Sequence, residues 1–136
     1  MSAENQNGDV RSIRSLIDRW AEAVRTEDLP AIRANHDENI LMFDVPPPFL
    51  SLGIDAYMAT WQLFFSCIKK PVVFSFEDIE VTAGSDVAFA TAKGHCVNTN
   101  RAGEREPLEF RLTMGLKKFE GQWRIMHEHH SLPSPD

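Results

Sequence analysis

The order of the predicted elements indicates an α+β domain in which helices cover one face of an antiparallel sheet. Helical periodicity dominates the first half of the chain, and long alternating segments separated by turn residues dominate the second half. The chain has 136 residues, of which 43% are hydrophobic, so it suits one domain with a real core. We therefore predict a single domain over residues 10–133, preceded by a flexible tail of residues 1–9.

Two long helices and a short one are predicted before the main sheet. The first covers residues 9–26, where apolar residues repeat at helical spacing: Val10, Ile13, Leu16, Ile17, Trp20 and Val24. Asp28, with Pro30 close behind it, starts a short second helix that ends near His36. The third covers residues 54–68 and has a broad apolar face.

The strands are predicted from apolar runs and the turns between them. Residues 39–44 form a short strand, and Pro46 to Pro48 then force an extended loop. Four long strands follow, over residues 72–82, 87–98, 107–119 and 122–130.

The turn at Glu120-Gly121 fixes the predicted pairing of the last two strands. Directly paired residues share a face, so one face holds Leu112, Met114, Leu116, Trp123, Ile125, His127 and His129. The other face holds Arg111, Thr113, Lys117, Arg124, Glu128 and His130, with Arg111 placed to pair with Glu128. The apolar face should meet the helices, which predicts that His127 and His129 point inward. A slip of one residue, or a bulge in the third long strand, would reverse this assignment.

The histidines near the C-terminus are the most unusual feature of the sequence. His127 and His129 stand two residues apart on a strand, a spacing that suits an acid–base pair or two metal ligands. No HExxH motif and no paired cysteines accompany them, so we predict no metal. Asp44, at the end of an apolar strand, is a candidate general base because desolvation makes a carboxylate more basic.

Several large side chains are candidates for the wall of a ligand pocket. Aromatic residues on the helices serve either as core or as the wall of a cavity: Trp20, Tyr57, Trp61 and Phe64. Met114 and His95 lie on the long strands and complete the predicted pocket. On the strand that carries His95, the small residues from Ala88 to Gly94 are predicted to pack flat, against a second subunit in one interpretation. The larger set from Val87 to His95 is then predicted to face the pocket.

Composition excludes several functional classes. Fourteen basic and twenty acidic residues give a net charge of −6, so no basic field for nucleic acid or an anionic membrane exists. No apolar stretch is long enough to span a bilayer, and the polar N-terminus does not resemble a signal peptide. Two cysteines, expected as free thiols, favour a cytoplasmic location. Nucleotide-binding and serine-hydrolase motifs are absent from the sequence, which leaves small molecules or other protein chains as partners.

The sequence resembles the nuclear transport factor 2-like superfamily, the cone-shaped fold of ketosteroid isomerases and SnoaL-like polyketide cyclases. The similar segments span residues 10–133 and read WAEAVRTEDLPAI, ILMFDVPPP, DVAFATAKG and RLTMGLKKFEGQWRIMHEHHSLP. The last of these also resembles the association domain of calmodulin-dependent kinase II. The resemblance implies helices on the concave face of a strongly curved sheet, a homodimer and no cofactor. Members of the superfamily include enzymes, binding modules and assembly domains.

Only part of the ketosteroid isomerase machinery has a counterpart here. The resemblance places Asp44 at the position of the aspartate that moves the proton. Trp20 stands where that family has a tyrosine, and Met114 or Gly115 lies near the place of its protonated aspartic acid. Steroid isomerisation by the same donor set is therefore not expected.

These observations lead to two functional hypotheses. In the first, the chain is a cofactor-free isomerase, cyclase or related lyase that acts on a small hydrophobic, carbonyl-bearing ligand. Asp44 would be the base, and His127 and His129 would be the donors, helped by His95 or Trp20. In the second, the chain is a non-catalytic ligand-binding or homo-oligomeric assembly module of the same fold.

Overall fold

Three helices pack against one face of a curved, unclosed six-stranded sheet. The computed structural model describes residues 3–134. The helices are α1 (Ala3–Arg25), α2 (Leu29–Ala34) and α3 (Ile54–Cys67). The strands are β1 (His36–Phe43), β2 (Ser51–Leu52), β3 (Phe74–Ala83), β4 (Val87–Thr99), β5 (Arg105–Phe119) and β6 (Gln122–Ser131). The predicted α+β class is confirmed.

The helices form where the apolar spacing predicts them. The apolar stripe of α1 is buried, with Ile13, Ile17 and Trp20 fully shielded from solvent. The helix begins at Ala3, ahead of the predicted start at Asp9, so residues 3–9 of the predicted tail are helical and residues 1 and 2 lie outside the described part. At the start of α2, where the sequence predicts a helix to begin, the Asp28 carboxylate caps the helix by accepting a hydrogen bond from the Ala31 amide at 3.1 Å.

The sheet has the strand order β2-β1-β6-β5-β4-β3. Strands β3 to β6 form the predicted antiparallel meander, and β2 pairs antiparallel with β1. Strand β1, by contrast, runs parallel to β6. This parallel pair places the end of β1, and therefore Asp44, beside the C-terminal half of β6.

A bulge in β6 changes which of its side chains face the helices. Leu116 pairs with Ile125, as predicted, but Gly115 then pairs with His127, which leaves Met126 as an extra residue. Beyond the bulge, Met114 pairs with Glu128 and Leu112 with His130. The prediction that His127 and His129 share the inner face with Met114 is therefore wrong. Glu128 and His130 take that face instead.

The faces of β4 are also the reverse of the prediction. Ala88 and Ala90 are buried in the hydrophobic core, whereas Val87 and Phe89 are more than half exposed on the outer face. The small residues are needed inside because neighbouring strands carry large rings. A side-chain carbon built on Gly94 would lie 2.2 Å from the ring of Phe110 on β5.

Within residues 3–134, no helix has the length and apolar character required to cross a membrane.

Candidate functional site

A cavity of about 760 Å³ opens between the end of β1, the proline loop after it, α3 and the inner face of β3 to β5. This volume is typical of small-molecule sites. Its wall is mainly apolar and includes Met42, Trp61, Leu63, Phe64, Phe74, Leu108 and Phe110. Among the described residues, the wall contains no lysine, arginine or glutamate, and its acid–base groups are Asp44, His130 and two cysteines. The cavity therefore suits an apolar ligand that carries few polar groups.

Asp44 and His130 meet on the cavity wall. Asp44 directly follows β1, and His130 lies near the end of β6, so the parallel pairing of these strands brings them together. The Oδ1 atom of Asp44 is 3.4 Å from Nδ1 of His130. The carboxylate side chain is 26% exposed and the imidazole 9%, so Asp44 is the more accessible of the two groups. This pair is the only charged pair that the cavity wall holds among the described residues.

Behind His130 lies a buried carboxylate with three hydrogen-bonding partners. Glu128 is fully buried on β6, and its Oε1 atom is 2.9 Å from Nε2 of His130. Its Oε2 atom accepts the hydroxyl of Tyr57 from α3 at 2.7 Å and also contacts Nε2 of His36 from β1. A carboxylate cannot be buried at low cost unless such partners compensate its charge. The arrangement connects Asp44, His130, Glu128, His36 and Tyr57 in one network.

The network shifts the pKa values of its members in opposite directions. Burial would raise the pKa of Glu128, but the neighbouring His36 and His130 rings hold it at about 2. Burial would lower the pKa of His130, but its contacts with Asp44 and Glu128 raise it to about 9. At neutral pH these two contacts favour the imidazolium form of His130. Burial, together with the charge of Glu128, raises the pKa of Tyr57 well above 10, so Tyr57 stays a hydrogen-bond donor.

Three of the predicted site residues lie on the cavity wall: Asp44, Trp61 and Phe64. Trp20, Tyr57 and Met114 are fully buried and do not line the cavity. Trp20 instead packs among the rings of Trp61, Phe74, Phe76 and His36. These three predicted ligand contacts are thus core residues, the other role that the sequence allows for large side chains at helical spacing.

The remaining predicted residues lie on the outer face of the sheet. Nδ1 of His127 is 2.7 Å from the Leu41 carbonyl oxygen, and the rings of His127 and His129 both contact Phe43. Nε2 of His95 pairs with Glu77 at 2.9 Å. The structure does not bring these three histidines to the cavity. On the same face Arg111 donates to the hydroxyl of Ser131 and does not pair with Glu128, because the bulge turns Glu128 inward.

His36, Glu128 and His130 form an inward-facing group that the sequence patterns do not reveal. The HEHH segment carries two alternating sets, and only the bulge at Met126 decides which set faces inward. The helical pattern predicts that α2 ends near His36, but His36 begins β1 and its ring reaches the buried carboxylate. Within residues 3–134, no group of three or more side chains is arranged to hold a metal ion.

Comparisons with known proteins agree with this architecture. A nuclear transport factor 2-like protein of unknown function from Pseudomonas putida KT2440 is 32% identical, with a TM-score of 0.82 over 98% of this chain and 89% of that one. A ketosteroid isomerase-like protein from Erwinia carotovora atroseptica is 21% identical, with a TM-score of 0.79 over 95% of this chain and 99% of that one. The fold is thus the nuclear transport factor 2-like cone.

Within that fold class, the SnoaL-like domain family matches residues 13–135. The chain belongs to the SnoaL-like family. No curated protein matches the sequence.

Proposed function

We propose that the chain binds a small hydrophobic, carbonyl-bearing ligand in the cavity and acts on it by acid–base chemistry, as a cofactor-free isomerase, cyclase or lyase. The observation that carries this proposal is the contact of Asp44 with His130 on the wall of an apolar cavity. An apolar site with a few convergent polar groups is the usual form of a small-molecule site. His130 takes the donor role predicted for His127 and His129.

The geometry supports a specific division of labour between the two groups. Asp44 removes a proton from the carbon beside the ligand carbonyl, and the electron pair of the C–H bond moves into an enolate. The N–H of His130 donates to the oxygen of that enolate, where negative charge develops. Its contact with Asp44 is long at 3.4 Å, so the N–H can turn to a ligand oxygen. When the ligand carries a C=C bond next to that carbon, the enolate is conjugated, and return of the proton from Asp44 to the far end of the conjugated system shifts the double bond and completes an isomerisation without a co-reactant.

The test uses 2-tetralone, a bicyclic ketone with acidic protons beside its carbonyl, dissolved in D₂O. Proton NMR measures how fast deuterium replaces those protons, whatever the natural reaction is. We expect the protein to accelerate the exchange and Asp44→Asn to lose most of that acceleration, roughly 100-fold or more, as is typical for removal of a general base. Asp55→Asn is the matched control because Asp55 is an exposed acid on α3.

Two outcomes would contradict the proposal. Exchange no faster than in buffer would argue against carbonyl acid–base chemistry. Equal acceleration by the Asp44→Asn and unchanged proteins would remove Asp44 as the base.

The alternative, a homo-oligomeric module, is favoured by the outer face of the sheet. Val87 and Phe89 on β4 are 54% and 53% exposed, and exposed apolar residues on one face are typical of interfaces. We propose a homodimer through this face. Sedimentation equilibrium should show a dimer that Phe89→Glu weakens. Phe49→Glu, in the loop after β1, should leave the dimer unchanged. A monomer at every concentration would refute the dimer.

We also propose a cytoplasmic location, which the two free thiols, Cys67 and Cys96, support.

A further inference from the structure

Glu128, unlike Asp44 and His130, does not reach the ligand cavity. Its side chain is fully buried, and it is not among the described residues of the cavity wall. A ligand can touch Asp44 and His130 but cannot touch this carboxylate. Any effect of Glu128 on chemistry in the cavity therefore passes through His130, whose Nε2 atom is 2.9 Å away.

The partners of Glu128 determine where the protons lie. Nδ1 of His36 is 2.8 Å from the carbonyl oxygen of Ile32, and a carbonyl only accepts, so this nitrogen carries a hydrogen. The other nitrogen of His36 faces Oε2 of Glu128, and a proton must lie between them for the contact to be favourable. The Tyr57 hydroxyl supplies a second donor to the same oxygen. The Oε2 atom is thus fully occupied, which leaves Oε1 for His130.

Both nitrogens of the His130 ring face carboxylate oxygens. Nε2 faces Glu128 at 2.9 Å, and Nδ1 faces Asp44 at 3.4 Å. Because ionised carboxylates only accept, both contacts are favourable together only if the ring carries both hydrogens. The other rings packed on His130 are those of Trp20 from α1 and Phe110 from β5, which are uncharged. Asp44 and Glu128 are therefore the charged groups that face this ring in the described structure.

We propose that Glu128 is a positioning residue that keeps His130 doubly protonated and aims its Nδ1–H at Asp44 and the cavity. The catalytic consequence rests on the proposed function, since it takes His130 as the donor to a ligand oxygen. The proton arrangement itself does not rest on that function. If Glu128 served only to compensate the charge of His36 inside the fold, His130 would lose its proton at the ordinary pH for histidine.

The first test needs no substrate. Long-range ¹H–¹⁵N NMR of the full chain reports whether each ring nitrogen carries a hydrogen, and comparison with His130→Asn assigns the His130 signals. We expect both nitrogens of His130 to stay protonated at pH 7.5 and to lose a proton only near pH 9. Loss of that proton near the ordinary value of 6.5 would overturn the proposal.

The second test separates positioning from simple support of the fold. In Glu128→Gln the negative charge is lost but the shape is nearly kept, so His130 should lose its proton at least about one pH unit lower. The alkaline decline of kcat for 2-tetralone exchange should move by the same amount, with KM little changed because Glu128 does not line the cavity. Glu109→Gln, the same change at an exposed position of β5, should leave the profile in place.

The conservative variant Glu128→Asp keeps the charge and should therefore keep part of the raised pKa of His130. This variant also provides a test if Glu128→Gln folds poorly. An unchanged alkaline decline in folded Glu128→Gln would refute the proposal. If 2-tetralone exchange is absent altogether, the proposed function fails. The NMR titration of His130 then still decides whether Glu128 holds the ring protonated.

Discussion

Gly94 occupies a place on β4 where the neighbouring strand leaves no room for a side chain. A carbon added there would lie 2.2 to 2.5 Å from three atoms of the Phe110 ring, which is closer than real contacts allow. The same ring lies 5.5 Å from that of His130 and forms part of the cavity wall. Gly94 therefore sets the position of a ring that belongs to the candidate site.

We predict that Gly94→Ala destabilises the protein by about 1–3 kcal/mol, the usual cost of overpacking a core. It should also displace the Phe110 ring, which forms part of the cavity wall. Urea unfolding measures the first effect. Gly8→Ala is the control, since the carbon added there meets its nearest atom at 4.0 Å and alanine favours helix. Equal stability of Gly94→Ala and the unchanged protein would contradict the packing described.

At the scale of elements, a buried acid connects the first helix to the last hairpin. Oδ1 of Asp9 on α1 accepts from Nζ of Lys118 on β5 at 2.8 Å and from Nε1 of Trp123 on β6 at 3.1 Å. The hydrogen bond from Lys118 holds the pKa of Asp9 below its ordinary value of 3.8. Because the folded value is the lower one, Asp9 stabilises the fold above pH 3.8, and this contribution is lost as the pH falls through the folded value.

We predict that Asp9→Asn lowers the melting temperature at pH 7 and that the difference from the unchanged protein shrinks below about pH 3.8. Thermal unfolding followed by circular dichroism at several pH values measures both effects. Asp18→Asn, on the exposed face of the same helix, should change little. A difference that stays constant down to the lowest pH would show that the charge of Asp9 is not its source.

The elements were predictable because local patterns determine them, whereas the site depends on one local irregularity. Helical spacing, the helix start at Asp28 and the turn at Glu120-Gly121 each depend on residues close together in the chain, and all three are observed. The position of Asp44 on the cavity wall also follows from the sequence. The residue pattern does not reveal the bulge at Met126, because both alternating sets of the HEHH segment are polar and contain histidine. Tertiary packing determines which of the two sets faces the interior.

The sequence patterns could not predict strand β2 or the parallel pairing of β1 with β6, for a different reason. Two residues are too few to show a period, and a parallel pair joins segments far apart in the chain. The outward orientation of Phe89 was missed because a strand that alternates small and large residues does not reveal which set faces the core.

At the scale of the whole molecule, the buried network should limit the pH range in which the fold is most stable. The pKa of Glu128 is lowered from 4.5 to about 2, so its contribution is complete above pH 4.5 and is lost as the pH falls toward 2. The pKa of His130 is raised from 6.5 to about 9, so its contribution is complete below pH 6.5 and is lost as the pH rises toward 9. Both contributions are complete between pH 4.5 and 6.5.

We predict that the free energy of unfolding falls by at least about 1 kcal/mol between pH 6.5 and 9, since one unit of pKa shift corresponds to that scale. Urea titrations at each pH provide the measurement. In His130→Gln the alkaline fall should largely disappear, which separates this group from the other ionisable residues. An equally steep fall in that variant would assign the alkaline instability to another part of the chain.

The bulge in β6 also gives the hydrophobic core control over the chemistry of the cavity. A regular ladder after Ile125 would pair Met114 with His127 and turn Glu128 toward the solvent side. An added residue in β5 opposite Met126 would remove the bulge and turn His127 inward, but it would also expose Met114 and Leu112, which are buried. The need to bury the apolar side chains of β5 therefore determines which of the two alternating sets of ionisable residues on β6 faces the ligand.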